Sequence, residues 1–270
     1  MVIDEVEFTI FDTETTGLDP QAGDRIVEIA AIRFKGKDKI NSFQTLVNPH
    51  RPISPAAYQV NRISQEMLES APDINTVMPE FLKFIKDSCL CSYNAGFDLE
   101  FLDQELKALG QEPLRDIVVV DILKMARRLL PGLERYALWY VAEQLGLQNK
   151  QEHRAFSDVE LTLAVFKKLK EALGKKGVWD FLNFSGLFAI SSDLLENIQS
   201  QKIAQIQEAI DLGVRLKIKY ISSSGEVTER EVMPKEIRQE RRHFYLIGHC
   251  CLRNEERSFR VDGILHLEIV

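Results

Sequence analysis

The sequence predicts an α/β protein, because the spacing of its apolar residues changes along the chain. Val6, Phe8 and Ile10 alternate with polar residues, as they do in a strand with one buried face. Residues 26–47 contain two further β-rich runs around a Lys-Gly-Lys-Asp turn, so the first strands should form an antiparallel meander. From residue 77 onward helical spacing alternates with short apolar strands, which favours helices packed on a sheet.

The later elements of this first domain follow in chain order. Helices are predicted at 77–85, 97–109, 138–145 and 156–173, and short buried strands at 89–93 and 117–120. Gly110, Gly146 and Gly174 each stand where a predicted helix ends, a position that favours glycine. We therefore expect the first domain to span residues 1–173.

The rest of the chain is predicted to hold a linker and a second domain. A helix is expected at 194–210, within a helical linker of residues 174–212. From residue 214 onward short strands alternate with turn residues, which is typical of a small β-rich module. We assign that module to residues 213–270.

Composition excludes several classes of protein. With 45% hydrophobic and 28% charged residues, the 270-residue chain is neither disordered nor fibrous, and four cysteines are too few for a disulfide scaffold. The sequence contains no apolar run of membrane-spanning length and no basic signal-peptide start, so we predict a cytoplasmic protein without membrane contact.

Charge is distributed unevenly along the chain. Residues 1–199 contain 22 Lys/Arg and 30 Asp/Glu, whereas residues 200–270 contain 12 and 11. Nucleic-acid affinity comes mainly from Lys and Arg, so an acidic first domain that binds nucleic acid needs a local positive charge. A bound divalent metal ion is the obvious candidate.

Two carboxylates follow the apolar face of the first strand. Alternation through Val6, Phe8 and Ile10 places Asp12 and Glu14 on that same inward face. Two inward acids repel each other unless a cation lies between them, and Mg²⁺ or Mn²⁺ prefers such oxygen ligands. On this pair alone, acids that merely cap a turn remain the more ordinary interpretation.

Three further residues can each be interpreted either as part of a functional site or as an ordinary structural or solvated side chain. Asp98 and Asp158 each open a predicted helix, where a negative charge is favourable in any protein. His153 lies five residues before Asp158, so one helical face cannot hold both. If the two side chains converge, His153 must stand in the loop before the helix, where histidines are usually just solvated.

Taken together, three segments resemble the motifs of a known family. Phe11–Leu18, Asn94–Asp98 and His153–Asp158 resemble, in order and context, the exonuclease motifs of DEDDh 3′-to-5′ exonucleases, which include proofreading subunits or domains of bacterial replicative DNA polymerases. The resemblance covers residues 6–173 and implies an RNase H-like mixed sheet with flanking helices. One departure is Val60-Asn61-Arg62-Ile63-Ser64, where the family often carries a His-Gly-Ile-Thr-like segment.

The resemblance implies a two-metal mechanism of phosphodiester hydrolysis with two Mg²⁺ or Mn²⁺ ions. It implies that Asp12 bridges both ions and that Glu14 and Asp158 hold the ion carrying the attacking water. Asp98 would serve the second ion through water. His153 would accept the proton of the attacking water.

The resemblance also implies contacts with the substrate. Thr15 and Leu18 would meet the terminal nucleotide, whereas Phe97 is either a core aromatic or a base-stacking one. The favoured substrate is single-stranded DNA or a DNA 3′ end, in repair or proofreading, with a DNA polymerase or repair complex as the candidate partner. A 3′-to-5′ exoribonuclease and a non-catalytic nucleic-acid-sensing regulator stay open as alternatives.

The C-terminal segment resembles a second family. Residues 218–220, 232–237, 244–246 and 257–264 resemble a WYL domain, which implies a small Sm/SH3-like β-barrel with a nucleic-acid or nucleotide ligand. The candidate ligand-binding residues are Tyr245, Arg257 and Arg260. Arginines beside aromatic residues are typical of single-strand binding, although a β-rich cap with solvated arginines has the same composition.

Overall fold

The computed structural model describes residues 1–115, 117–148, 153–191, 193–241 and 243–270. Within these ranges the first part of the chain forms a six-stranded sheet in the order β3-β2-β1-β4-β5-β6. The strands are β1 (Glu7–Thr15), β2 (Ile26–Lys35), β3 (Asp38–Leu46), β4 (Cys89–Ser92), β5 (Val119–Asp121) and β6 (Ala189–Ser191).

Helices flank both faces of this sheet. They are α1 (Pro55–Asn61), α2 (Gln65–Glu69), α3 (Ile74–Ile85), α4 (Ala95–Ala108), α5 (Ile122–Leu129), α6 (Leu138–Gln144), α7 (Ala155–Lys175) and α8 (Phe181–Phe188). The sheet is mixed, because β1 pairs antiparallel with β2 but parallel with β4, and β5 pairs antiparallel with β6. The predicted meander and the α/β class are confirmed.

Alternation along β1 divides the core into two layers. Phe8 and Ile10 pack with the helices α5–α8, whereas Phe11 packs with α3 and α4 on the opposite face. Side chains of a strand alternate between faces, so Asp12 and Glu14 continue the first layer and Thr13 the second. The first layer contains an aromatic cluster in which the Phe8 ring centroid lies 5.3 Å from that of Phe166 and 5.8 Å from that of Phe184.

The segment predicted as a helical linker contributes to this first layer. Within residues 174–212, α8 supplies Phe184 and Phe188 to the core, and β6 pairs with β5. Only α9 (Asp193–Leu212) leads to the second sheet. Aromatic residues at the spacing of α8 are apolar enough to be buried, which explains why the segment packs instead of crossing solvent.

The C-terminal residues form an antiparallel sheet of five strands in the order β10-β9-β8-β7-β11. They are β7 (Leu216–Ile221), β8 (Val227–Glu240), β9 (His243–Cys250), β10 (Glu255–Arg260) and β11 (Ile264–Ile269). In the described part of the chain the edge strands β10 and β11 do not pair, so no closed barrel is seen. The sheet packs against α9 through Ile206 and Ala209.

The C-terminal sheet contacts the first domain at the end of α5. The Arg128 Nε donates a hydrogen bond to the Ser222 carbonyl at 3.4 Å. Gly225 approaches the same helix so closely that an added Cβ would lie 2.6 Å from the Arg128 carbonyl oxygen. Among the described residues, no helix combines the length and the apolar composition needed to cross a membrane.

Candidate metal centre and active site

Three of the predicted carboxylates come together at the end of β1. Asp12, Glu14 and Asp158 each place a carboxylate oxygen within 4.8 Å of those of the other two. β1 supplies Asp12 and Glu14 because residues two apart share a face. α7 packs on that face and presents Asp158 from its first turn, buried to 4% exposure.

Electrostatic repulsion is concentrated in this group. Loss of water raises the pKa of Asp12 well above its ordinary range, and the charges of Asp98, Glu14 and Asp158 raise it further. The pKa of Glu14 rises to about 8, again chiefly through burial and then through Asp158 and Glu28. A cation among the three carboxylates would relieve this repulsion. An all-oxygen donor set of this kind fits a hard divalent ion.

Asp98 lies beside the three-carboxylate group and is held from the protein side. Its Oδ1 accepts hydrogen bonds from the backbone N–H and the hydroxyl of Thr13, at 3.0 and 2.7 Å, and its Oδ2 accepts one from Ser92 at 2.6 Å. Burial raises the pKa of Asp98 to about 6, against the lowering effect of these hydrogen bonds. Thr13 faces α4 because it stands between Asp12 and Glu14.

His153 stands in the bend just before α7, the position it needs if its side chain is to converge with that of Asp158. It is exposed, and its φ of 53° turns the chain into the helix that Arg154 caps. Residues 149–152, which precede it, lie outside the described residues. The predicted role of His153 as proton acceptor stays a prediction.

Glu28 is a buried acid that the sequence analysis missed. It pairs with Glu14 across β1 and β2 and is 1% exposed. Its carboxylate accepts hydrogen bonds from Arg154 Nε at 3.1 Å, Arg154 Nη2 at 2.9 Å and the Ala155 N–H at 3.1 Å. It therefore ties β2 to the first turn of α7, next to His153. The available signal was a single acid inside the otherwise apolar run Ile26–Ile32.

The segment that departs from the family pattern also reaches the site. Asn61 is 1% exposed, and its amide nitrogen donates to the Thr15 carbonyl at 3.3 Å. The Asn61 side chain also hydrogen-bonds Glu14, which lowers the pKa of that carboxyl against the effect of burial. Arg62, in the place of the family glycine, has a φ of 58°, a conformation that favours glycine.

The predicted substrate residues share one cavity of about 430 Å³ with Glu14. Thr15, Leu18 and Phe97 line it, together with residues of α1. Leu18 is 84% exposed and stands at the rim. The Phe97 ring centroid lies 5.0 Å from that of Phe101, so Phe97 packs on the core while its other side meets the cavity.

The three C-terminal candidates lie in the second sheet, away from this cavity. Arg260 pairs in register with Tyr245. The Arg260 guanidinium binds Asp262, with Nε 3.0 Å from Oδ1, and Arg257 binds Glu255 at 2.8 Å. Both arginines therefore already have carboxylate partners.

Similarity to known proteins agrees with this geometry. Residues 9–166 match the family model RNase_T, described as Exonuclease, and residues 201–269 match the WYL domain. The chain is 41% identical over 167 residues to the DNA polymerase III subunit epsilon of Treponema pallidum, covering 61% of this chain and 77% of that protein. It is 32% identical over 275 residues to the DNA polymerase III PolC-type of Thermotoga maritima.

The match to the Thermotoga protein covers 98% of this chain but only 19% of the polymerase, so the chain spans about a fifth of that relative. Among solved structures, the zinc-bound complex of Escherichia coli exonuclease I with single-stranded DNA has a TM-score of 0.58 at 18% identity. That match covers 90% of this chain and 54% of the other, and it shows a shared fold. The chain therefore belongs to the exonuclease family and carries a WYL domain after its exonuclease domain.

Proposed function

We propose that the protein removes nucleotides one at a time from the 3′ end of DNA, by metal-dependent hydrolysis, in proofreading or repair. The observation that carries this proposal is the group of converging carboxylates Asp12, Glu14 and Asp158, which adjoins a cavity of about 430 Å³ in a chain of the exonuclease family. DNA is favoured over RNA because the curated relatives are DNA polymerase III components.

We assign Asp12, Glu14 and Asp158 as the direct metal ligands and Asp98 as a fourth carboxylate acting through water, for two Mg²⁺ or Mn²⁺ ions. Bound ions would lower the pKa of an attacking water and neutralise charge on the leaving oxygen. Asp98 has a second task in this proposal. By holding Thr13, it fixes the stretch of β1 that presents Asp12 and Glu14.

His153 accepts the proton of the attacking water in this proposal, since it stands exposed directly before the helix that presents Asp158 and an imidazole nitrogen can act as a general base. The hydrogen bonds between Glu28 and Arg154 fix the backbone directly after His153. Leu18 and Phe97 pack on the terminal nucleotide, and the Thr15 backbone contacts it.

For the C-terminal residues 213–270 we propose an Sm/SH3-like module, joined to the exonuclease domain by α9, the last helix of the predicted linker 174–212. Its fourteen-residue strand β8 has a register shift between Pro234 and Glu236, and such a bulge bends a strand, which supports a curved sheet. The pairing of Arg260 with Tyr245 places two of the ligand candidates side by side. In this proposal Tyr245, Arg257 and Arg260 bind single strands and pass them to the exonuclease domain, beside a polymerase or repair complex. Ligand would have to displace the Asp262 and Glu255 carboxylates from the two arginines.

A digestion series tests the proposed activity. The protein is incubated with 5′-labelled single-stranded and duplex DNA and RNA, with Mg²⁺, with Mn²⁺ or with EDTA. We expect a ladder of DNA shortened from the 3′ end and released mononucleotides, only with metal. Faster digestion of RNA would move the assignment to an exoribonuclease, and no digestion of any substrate would favour a non-catalytic sensor.

The Asp12→Ala variant tests the site itself. Losing one of the three proposed direct metal ligands should abolish nearly all hydrolysis, a rate loss of at least about 10³-fold, while the fold survives. Asp38→Ala removes an exposed acid at the start of β3 and serves as the matched control. Retention of more than a few per cent of activity by a folded Asp12→Ala protein would contradict the assignment.

A further inference from the structure

An arginine and two aromatic side chains form an exposed platform at the start of α6. The Arg135 guanidinium carbon lies 5.9 Å from the ring centroid of Trp139 and 5.7 Å from that of Tyr140. The two rings are perpendicular, with centroids 5.5 Å apart. Trp139 is 42% exposed, although large aromatic rings are usually buried. We call these three residues the Trp139 platform.

The core does not require Trp139 at this position. α6 contacts the core and α7 through Leu138, Val141 and Ala142, which are all buried. Trp139 and Tyr140 stand between these positions and turn away from that contact. The exposed tryptophan beside an arginine is therefore available to bind a partner molecule.

A hydrogen bond ties the segment before α6 to the end of β4, the strand beside β1. The Tyr93 hydroxyl donates to the carbonyl of Tyr136 at 2.7 Å, one residue after Arg135. Cys91 of β4 pairs with Ile10 of β1, and both side chains lie in the first layer. Tyr93 and Asp12 each follow two residues later, so their side chains point to that same face of the sheet. The platform therefore lies on the side of the sheet that carries Asp12, Glu14 and Asp158.

Local charge identifies the chemistry of the partner. Residues 122–142 contain four Lys/Arg and one Asp/Glu, within a region, 1–199, whose net charge is −8. Two of the four cations are turned inward, since Lys124 donates to the Ala189 carbonyl and Arg128 is 8% exposed at the C-terminal sheet. Arg127, in the last turn of α5, and Arg135 of the platform are both exposed. The charge of Arg127 also reaches Tyr93, where it opposes the rise in the pKa of the buried hydroxyl.

We propose that the Trp139 platform binds the single-stranded DNA that leads to the 3′-terminal nucleotide, with a base stacked on Trp139 and phosphates bound by Arg127 and Arg135. This inference rests on the proposed exonuclease function and adds an upstream contact to it. Aromatic faces accept every base, so such a contact holds a strand without reading its sequence. Arginine supplies the phosphate contact that the acidic domain otherwise disfavours.

Intrinsic fluorescence tests binding without any turnover. Trp139 is one of two tryptophans in the chain. In EDTA, a twelve-residue oligothymidylate should quench part of the emission of the wild-type protein, and added salt should reverse the quenching. Trp139→Phe should lose the quenching while keeping an aromatic ring at the site. Equal quenching of the wild-type and Trp139→Phe proteins would overturn the proposal, as would no quenching of either.

Kinetics test whether the contact serves the reaction. Trp139→Ala should raise KM for the oligothymidylate about tenfold with kcat little changed, and Trp139→Phe should restore most of it. Hydrolysis of the p-nitrophenyl ester of thymidine 5′-monophosphate, which has no upstream nucleotide, should not change. Arg135→Ala should lower the salt dependence by about one phosphate contact, whereas the exposed Arg115→Ala should not.

Two results separate the inference from the function on which it rests. If Trp139→Ala changes KM equally for the ester and the oligomer, the platform is structural and the inference is wrong. If the wild-type protein hydrolyses neither substrate, the proposed function is wrong, and quenching alone then decides whether the platform binds DNA.

Discussion

The pKa values of Asp12 and Glu14 are raised because the fold holds several acidic side chains close together and away from water. Both carboxyls would titrate near pH 4 in an unfolded chain, yet burial and neighbouring acids raise each of them. Asn61 is the residue that works against this rise at Glu14. Single residues thus set the charge of the site before any metal binds.

These shifts predict how the stability of the metal-free protein depends on pH. The pKa of Glu14 is about 8 in the folded state and near 4.5 when unfolded, so the folded state holds the extra proton between these values. Asp98, with a pKa of about 6, acts in the same direction. The free energy of unfolding should therefore be highest near pH 4.5 and fall as the pH rises from there to about 8.

Urea unfolding in EDTA at pH 5, 6.5 and 8 measures this trend. Glu14→Gln should flatten it, and the exposed Glu100→Gln should leave it unchanged. Saturating Mg²⁺ should restore stability at pH 8, since a cation replaces the protons. A stability that rises with pH between 5 and 8 in EDTA would contradict the burial of these charges.

At the scale of elements, the start of α7 is fixed by a contact with another strand. Glu28 of β2 binds both the side chain of Arg154 and the N–H of Ala155, so the helix that presents Asp158 begins at a fixed point on the sheet. His153 directly precedes this contact. A buried acid thus positions two site residues without itself belonging to the three-carboxylate group.

Replacing Glu28 should therefore impair catalysis through His153. Glu28→Gln keeps the shape but removes the charge, and we expect about a tenfold loss of kcat with little change in KM. His153→Ala should cost about 10²–10⁴-fold, and the double variant should be no slower than His153→Ala alone. Steady-state kinetics from pH 5.5 to 9 measure both effects.

Glu7→Gln is the matched control, because Glu7 forms a similar arginine pair with Arg33 at the opposite end of β1. The stability of Glu28→Gln should fall by about 2 kcal/mol, since a buried charged hydrogen bond is lost. A double variant much slower than His153→Ala would show that Glu28 acts through Asp158 instead.

Most of the candidate site residues could be predicted from the sequence, but the long-range contacts that bring them together could not. Alternation along β1 placed Asp12 and Glu14 on the inward face, and the His153–Asp158 spacing predicted a loop before α7. These are local properties of one strand or one helix. The link from Glu28 to Arg154 joins residues 126 positions apart, and periodicity contains no information on such pairs. The antiparallel pairing of β6, far along the chain from β5, escaped prediction for the same reason.

At the scale of the whole molecule, the C-terminal sheet rests on α5 by close backbone contact. Gly225 has a φ of 72°, and its position leaves no room for a side chain above the Arg128 carbonyl. Arg128 itself loses water there, which lowers its pKa against the opposing effect of Asp262. The contact therefore combines a close backbone approach with the loss of water around a charged side chain.

Gly225→Ala should loosen this contact. The Cβ would meet the Arg128 carbonyl at 2.6 Å, so we expect a loss of about 2 kcal/mol and faster proteolysis between the two sheets. Gly213→Ala is the matched control, because Gly213 also has a positive φ, 62°, but nothing lies within 4 Å of its added Cβ. Equal effects of the two substitutions on limited proteolysis and thermal unfolding would show that backbone strain alone is responsible.

The aromatic residues of α8 also determine when the exonuclease domain can fold during synthesis. Phe184 and Phe188 complete the layer around Phe8, and β6 comes directly after them. A nascent chain that has left the ribosome only as far as α7 still lacks the aromatic residues that α8 adds to this layer. The layer that supports the acidic site can therefore be completed only after residue 188 has emerged, when α9 and the C-terminal strands are next to be made.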